Sequence, residues 1–293
     1  MFSFSIGCHV SIAGGVVNAP GRAADLGCET FQIFTRSPQG GPAPAITEEV
    51  IFSFKEQMLK FGFNSFVVHC PYYINFGSGK SSTYHGSISV VRQELERTSL
   101  LGGQYVMFHS GSGKDLGKKE AIKQAREGLK KVLDDYTGSA LLLIEIAAGA
   151  GEILGDTFEE VAEIMEPLKK YKSFGGVCFD TQHGFSSGYD LRTIKTVKET
   201  FNKFDSTIGF KWLKMSHVND SKVELGGRKD RHEHIGQGNI GEGGFKALLS
   251  FLNQEFNLKA EKTWTFPLIF ETEHDKVETD IKILKDLRKK LKK

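Results

Sequence analysis

Residues 140–145 read ALLLIE, a continuous apolar run that closes on an acid. A run this short, apolar on both alternating faces, suits a strand buried on both sides, as in a parallel sheet. The same texture recurs along the chain: SFSIGCHV (3–10), ETFQIF (29–34), SFVVH (65–69), YVMFH (105–109), GVCFD (176–180), WLKMSH (212–217) and PLIFE (267–271). Gly, Asn, Ser or Pro signals bound these runs. Between them lie segments of helical period at 46–61, 88–101, 118–133, 156–171, 191–204 and 243–256. In the first, Ile46, Val50, Phe52, Phe54, Met58 and Phe61 are expected on one broad face. Asp156 and Glu159 have the N-cap and N3 spacing of a helix start. The last segment, 276–293, sets Ile281, Leu284 and Leu287 at helical spacing and ends in a basic run of Arg288, Lys289, Lys290, Lys292 and Lys293. That run suits a solvated helix end.

Parallel strands need crossover connections, and a helical segment or room for one follows each strand candidate. Eight such units in 293 residues average about 37 residues each, which suits a (β/α)₈ barrel. The expectation is an α/β protein whose residues 1–293 form one TIM-barrel domain, with a doubly wound open sheet as the alternative fold.

Composition narrows the function classes. The chain is 39% hydrophobic and 25% charged, an ordinary globular balance, and its formal net charge is only +2. Non-specific nucleic-acid binders are more often strongly basic, so a polyanion here must be held locally. Cys8, Cys28, Cys70 and Cys178 lie far apart without a CxxC pair, so reduced structural thiols are expected. The N-terminal MFSFSIGCHVS lacks a basic segment followed by a long apolar run, so a cytoplasmic protein is expected. The longest apolar stretch contains Glu145 and falls short of the ~20 residues needed to cross a membrane. A monomer is expected.

The placement of histidines and acids carries the chemistry. His69, His109, Glu145, Asp180, His217 and Glu271 end six successive strand candidates. In a barrel those ends lie on one face, the C-terminal face where such enzymes place their active sites. A single His or Asp at a strand end is usually a cap or turn residue. Six in a row would crowd carboxylates together, which bound cations resolve. His183 follows Asp180 by three residues and can point back to the same mouth. Asp230 and His232, two apart, share one side of an extended segment. These nine side chains exceed what one tetrahedral zinc can use, since a catalytic zinc takes about three protein ligands. They suit three ions, and mixed imidazole and carboxylate ligation favours zinc, with manganese or iron possible at some positions. Three divalent ions against four carboxylates leave a residual charge of about +2, which would attract phosphate.

At these residues the chain resembles the endonuclease IV family. HCPYYINFGSG (69–79), FDTQHGFSSGYD (179–190), SHVNDSK (216–222) and DRHEHIGQGNIG (230–241) are similar to its signature segments, and IGCHVSIAGG (6–15) to its opening strand and loop. The resemblance runs in order from residue 6 to about 275. It implies three zinc sites: His69, His109 and Glu145; Glu145 as a bridge with Asp180, His217 and Glu271; and His183, Asp230 and His232. The implied reaction is hydrolysis of the phosphodiester 5′ to an abasic site in double-stranded DNA, leaving a 3′-hydroxyl and a 5′-deoxyribose phosphate. A water shared by two ions would supply the nucleophile, oriented by Glu145 as the catalytic residue. Tyr72 matches a position whose ring enters the DNA, and Arg36, Lys222 and Arg231 are candidate DNA contacts, with Arg228 and Lys229 close by.

The chain also departs from the family. Ser110-Gly111-Ser112 follows His109 where Pro-Gly-Ser is usual, and Ile146-Ala147-Ala148-Gly149 follows Glu145 where Asn-Thr-Ala-Gly is usual. Polar partners that tune ligands are lost there, which bears on rate. The loop TRSPQGGPAPA (35–45) lacks the Arg and large aromatic often found near Gln39 and Gly41, which bears on damage recognition. His9 is expected to line the pocket or to fill a structural role, and His85, His234 and His274 to lie in loops or on the surface. Two other functions stay open: a metal-dependent sugar isomerase or epimerase on a related barrel, and a non-catalytic binder of damaged DNA.

Overall fold

The computed structural model describes residues 2–259 and 264–291. Strands β1 (Phe2–His9), β2 (Thr30–Ile33), β3 (Val67–His69), β4 (Tyr105–Phe108), β5 (Leu141–Glu145), β6 (Phe174–Asp180), β7 (Leu213–His217) and β10 (Trp264–Phe270) pair in parallel around a closed ring. The order β1-β10-β7-β6-β5-β4-β3-β2 closes the TIM barrel anticipated from the alternating texture. Helices α1 (Ala19–Asp25), α2 (Glu48–Lys60), α3 (Ser81–Leu101), α4 (Lys118–Leu133), α5 (Phe158–Met165), α6 (Thr181–Ser186), α7 (Ile194–Thr207), α8 (Gly241–Lys259) and α9 (Val277–Lys290) supply the connections. Among the described residues, no helix is long and apolar enough to cross a membrane.

Strand alternation divides the apolar residues into two cores. Val67, Tyr105, Met107, Leu143, Cys178, Met215 and Ile269 fill the barrel interior. Their chain neighbours Phe66, Val68, Val106, Phe108, Leu142, Ile144, Val177, Phe179, Leu268 and Phe270 belong to the other core, between strands and helices. Each large side chain buried this way contributes ~1.5–3 kcal/mol. The two-residue period also positions the site. One pleat beyond Val67, Met107, Leu143, Cys178, Met215 and Ile269, on the same side of each strand, stand His69, His109, Glu145, Asp180, His217 and Glu271.

Several local expectations change. Phe54 is fully buried on α2, but Phe52 is 64% exposed. Residues two apart on a helix point about 200° from each other, so both cannot face the core. The α5 start lies one residue later than the Asp156–Glu159 spacing predicts: Thr157 caps it by accepting from the Glu160 N–H at 3.1 Å. Asp156 instead accepts from Lys118 and Arg228, each at 2.9 Å. In the basic tail, Arg288 pairs with Glu29 and Lys289 with Asp286, while Lys292 and Lys293 lie outside the described residues.

Two short devices extend the barrel mouth. Asp180 ends β6 and caps α6, its Oδ1 accepting from the His183 N–H at 2.9 Å. Strands β8 (Asp220–Ser221) and β9 (His232–Glu233) pair antiparallel and carry the loop between them. Asp220 is buried and accepts from the backbone N–H groups of Ser221, Gly236, Gly238, Ile240 and Gly241. A Cβ at position 238 would stand 2.5 Å from Asp220 Oδ1, so only glycine lets the chain approach this closely.

Candidate metal centre

Glu145 is the hub of the barrel mouth. It is fully buried, with Oε2 3.0 Å from His69 Nε2 and 3.7 Å from His109 Nε2. Its Oε1 lies 2.8 Å from His217 Nδ1 and 3.4 Å from His183 Nδ1. Three donor sets adjoin one another: His69, His109 and Glu145; Glu145, Asp180, His217 and Glu271; and Asp180, His183 and His232. Asp230, carried by the β8–β9 loop, reaches 3.3 Å from both His183 Nε2 and His232 Nε2. Cys178, one pleat below Asp180, adds a thiol near Glu145 and His217.

The histidines show which nitrogen each turns inward. His69 Nδ1–H donates to the Cys70 carbonyl at 2.6 Å and His183 Nδ1–H to the Ile146 carbonyl at 2.9 Å. His217 Nε2–H donates to Gln32 Oε1 at 2.7 Å. Each bond fixes a tautomer and leaves the other nitrogen's lone pair aimed at the cluster, the arrangement typical of metal-ligating imidazoles. His109 Nδ1, His183 Nε2 and His232 Nε2 are buried without a hydrogen-bond partner. Buried polar atoms left orphaned are costly, and a divalent cation is a chemically suitable partner for these lone pairs. The donor set therefore fits divalent metal.

When protonated, the imidazoles offset the charge of the acids, a role a divalent cation would take over on binding. Burial pushes Glu145 up, but His217, His109 and His183 outweigh it and hold the carboxyl well below the usual range. Glu271 and Asp230 are lowered in the same sense, burial being overcome by His217 at the first and His183 at the second. His9, on the rim, is driven down to about 3 by burial and stays neutral.

The cluster opens into a cavity of about 300 Å³ lined by His69, Tyr72, His109, His183, Lys222, Asp230, Arg231, His232, Glu271 and Glu273. Tyr72 is 67% exposed, its ring edge-on to Phe34 and tilted against His69. Lys222 and Arg231 are exposed and line the same cavity. Arg36 is a correction to the sequence reading: it is buried away from the mouth, donating from Nε to Glu94 Oε1 at 2.5 Å and from Nη2 to Gln93 at 2.9 Å. A guanidinium so enclosed offers no charge to DNA. His234 lies in the loop after β9, one of the two expected placements, but is buried there between Asp280 at 2.7 Å and Asp275 at 3.1 Å; His85 and His274 are exposed.

Two residues were missed by sequence reasoning. Asn219 donates to Asp180 Oδ2 at 2.7 Å and accepts from the Glu271 N–H at 2.8 Å. Gln32 touches His217, Glu271 and His9. Its signal was available: Phe31 and Ile33 face the outer core, so the polar residue between them must face the barrel.

A protein-family model described as Xylose isomerase-like TIM barrel matches residues 20–291. A protein from Nitrosopumilus maritimus named Probable endonuclease 4 is 38% identical over 272 residues, covering 92% of this chain and 94% of that one. The crystal structure of endonuclease IV from Thermus thermophilus superposes with a TM-score of 0.82 at 29% identity, covering 98% of this chain and 99% of that one. A D-tagatose 3-epimerase-like protein superposes with a TM-score of 0.73 at 19% identity over 99% and 98% of the two chains, a likeness of fold alone.

Proposed function

The chain belongs to the endonuclease IV family, and from that membership we propose that it is a metal-dependent hydrolase cutting the phosphodiester on the 5′ side of abasic sites in double-stranded DNA. One observation carries the reading: donor sets joined through Glu145 and Asp180 open onto a charged cavity between Lys222, Arg231 and Tyr72. The proposed ligand groups are His69, His109 and Glu145; Glu145, Asp180, His217 and Glu271; and His183, Asp230 and His232. Zinc is the proposed occupant, with manganese or iron able to replace it at some positions. Divalent cations held there would supply Lewis acidity at a phosphoryl oxygen and lower the pKa of water.

The chain's own residues do the rest. Glu145, whose two oxygens face His69 Nε2 and His217 Nδ1, is the proposed group that orients the attacking water. Lys222 and Arg231 hold phosphates without reading sequence, which suits an enzyme that seeks a lesion. Tyr72 presents an exposed ring to the sugar that lacks a base. The products, a 3′-hydroxyl and a 5′-deoxyribose phosphate, would enter base excision repair. Residues 1–293 are proposed to act as one domain and as a monomer. Sugar epimerases share the barrel, but the additional group of His183, Asp230 and His232 favours the nuclease reading.

The test is incision of a duplex carrying one abasic site, with and without a chelator. The expected result is one cut 5′ to the lesion, lost with chelator and restored by Zn²⁺. His69→Ala and Glu271→Gln should each lower the rate by more than the roughly 10–100-fold that loss of a ligand's hydrogen-bond partner costs, with the circular dichroism spectrum kept. Binding without scission, or full activity in either variant, contradicts the proposal.

A further inference from the structure

Gln32 lies on β2 with no solvent exposure, and its carboxamide spans two members of one donor set. Oε1 accepts from His217 Nε2–H at 2.7 Å. Nε2 donates to Glu271 Oε1 at 2.7 Å and faces His9 Nδ1 at 3.1 Å. The orientation of the amide is fixed by chemistry: turned over, its oxygen would face a carboxylate oxygen and its NH₂ the protonated nitrogen of His217. In the orientation observed, every hydrogen-bonding group of the amide is engaged at a site without solvent. With Nε2 of His217 committed as a donor, Nδ1 is left to face Glu145 Oε1 at 2.8 Å, Glu271 Oε2 at 3.2 Å and Asp180 Oδ2 at 3.8 Å. With Oε1 of Glu271 tied to the amide, Oε2 is the oxygen turned toward the cluster.

We propose that Gln32 is a positioning residue for the metal centre, selecting the liganding nitrogen of His217 and the liganding oxygen of Glu271 through one amide. The inference rests on the reading of these residues as metal ligands. A residue behind a ligand acts by fixing tautomer and ring orientation, and its loss typically costs ~10–100-fold in metal affinity. An apolar side chain at this position would leave the His217 N–H buried without an acceptor and free Glu271 to turn. A carboxylate there would keep an acceptor for His217 and set like charges against each other at Glu271.

The experiment uses full-length protein stripped of metal and titrated with Co²⁺ and Zn²⁺ against a chromophoric chelator. The visible absorption of the Co²⁺ form reports ligand geometry independently of activity. Gln32→Met removes donor and acceptor at similar length, and Gln32→Glu keeps the shape while replacing the donor. Each should weaken at least one bound ion by ~10–100-fold and alter the Co²⁺ bands. The ions held away from His217 and Glu271 should keep wild-type affinity. A folded variant with wild-type affinities and an unchanged Co²⁺ spectrum overturns the proposal, whatever its melting temperature. If both variants fail to fold, the amide's role is structural and the proposal is rejected. Wild-type protein that takes up no divalent ion instead refutes the underlying metal reading, an outcome separable from the first because it is seen before any substitution.

Discussion

Replacing Asp220 by alanine should release the segment between β9 and α8 from the barrel mouth before the barrel itself unfolds. The carboxylate accepts from five backbone N–H groups, but they do not count equally. The bonds from Ser221 and Ile240 are buried, whereas those from Gly236, Gly238 and Gly241 are only partly so and can turn to water. A hydrogen bond to a charged acceptor is worth ~1.5–3 kcal/mol net, so the two buried bonds set a loss of roughly 3–6 kcal/mol. Burial pushes the Asp220 carboxyl up and the N–H groups partly offset that rise, which keeps the sum at the lower end. The loss is a large fraction of the ~5–15 kcal/mol that holds most domains folded. Opening of residues 234–240 alone would cap it, since the strand ring does not depend on them. Urea unfolding should show a lower midpoint, and the melting temperature should fall by on the order of 5–15 °C. Hydrogen exchange should accelerate at Gly236, Gly238 and Ile240 while barrel-strand amides stay protected. Asp220→Asn, which keeps one acceptor oxygen, should lose about half as much. An unchanged midpoint with unchanged exchange at those glycines would show that the carboxylate does not hold the β9–α8 segment.

Arg36→Met should destabilise the fold by at most about 3–5 kcal/mol, because buried Glu94 then keeps only the Thr35 hydroxyl and Arg97 at 4.0 Å, and urea denaturation reads this directly. Because Arg36 is buried, its removal should leave duplex affinity in native protein unchanged by fluorescence anisotropy, whereas Arg231→Ala should weaken it and flatten its salt dependence. The Glu29–Arg288 pair ties β1's neighbourhood to α9: burial raises the Glu29 carboxyl, but the Arg288 hydrogen bond and charge bring it below its ordinary value. A carboxyl lowered on folding stabilises above its unfolded pKa of ~4.3 and loses that contribution as pH falls through the folded value. Stability measured at pH 7 and again below 4 should therefore fall less steeply in Glu29→Gln than in wild type, and equal slopes would contradict the pairing.

The barrel and the rim were readable because both follow from a two-residue period. The run GVCFD states in five letters that Val177 and Phe179 face the helices while Cys178 and Asp180 face the axis. The same period turns Gln32 of ETFQIF to the axis, but a neutral amide is not among the His, Asp and Glu side chains that mark a metal site, so its role shows only once its partners are placed. What the sequence does not carry is pairing between distant loops. Arg36 meets Glu94 58 residues away and His234 meets Asp280 46 residues away, and no local spacing encodes either contact. A charged loop residue is ordinarily solvated and free to meet a ligand, which is why Arg36 reads as a DNA contact and His234 as a loop or surface residue. The α5 cap failed for a smaller reason: Asp156 and Thr157 are both good caps in adjacent positions, and Lys118 and Arg228 draw the acid away.

On the proposed reading, the buried Arg36 and the missing bulky residues of the 35–45 loop move lesion selection into the cavity itself. Among its lining residues Tyr72 is the one aromatic hydrocarbon surface; the others are imidazoles, carboxylates and two cations. A sugar phosphate without a base meets Lys222, Arg231 and the inward histidines and leaves little apolar surface to cover. A nucleotide that kept its base would have to place a polar heterocycle against charged groups whose geometry is already committed, leaving its hydrogen-bonding edge unmatched at a cost of about 1–3 kcal/mol per unpaired group. Exclusion by unmatched polarity can discriminate more strongly than added contacts, because a site built of polar groups rejects what it cannot pair. The preference for an abasic site would then follow from the same ring of side chains that is proposed to hold the metals.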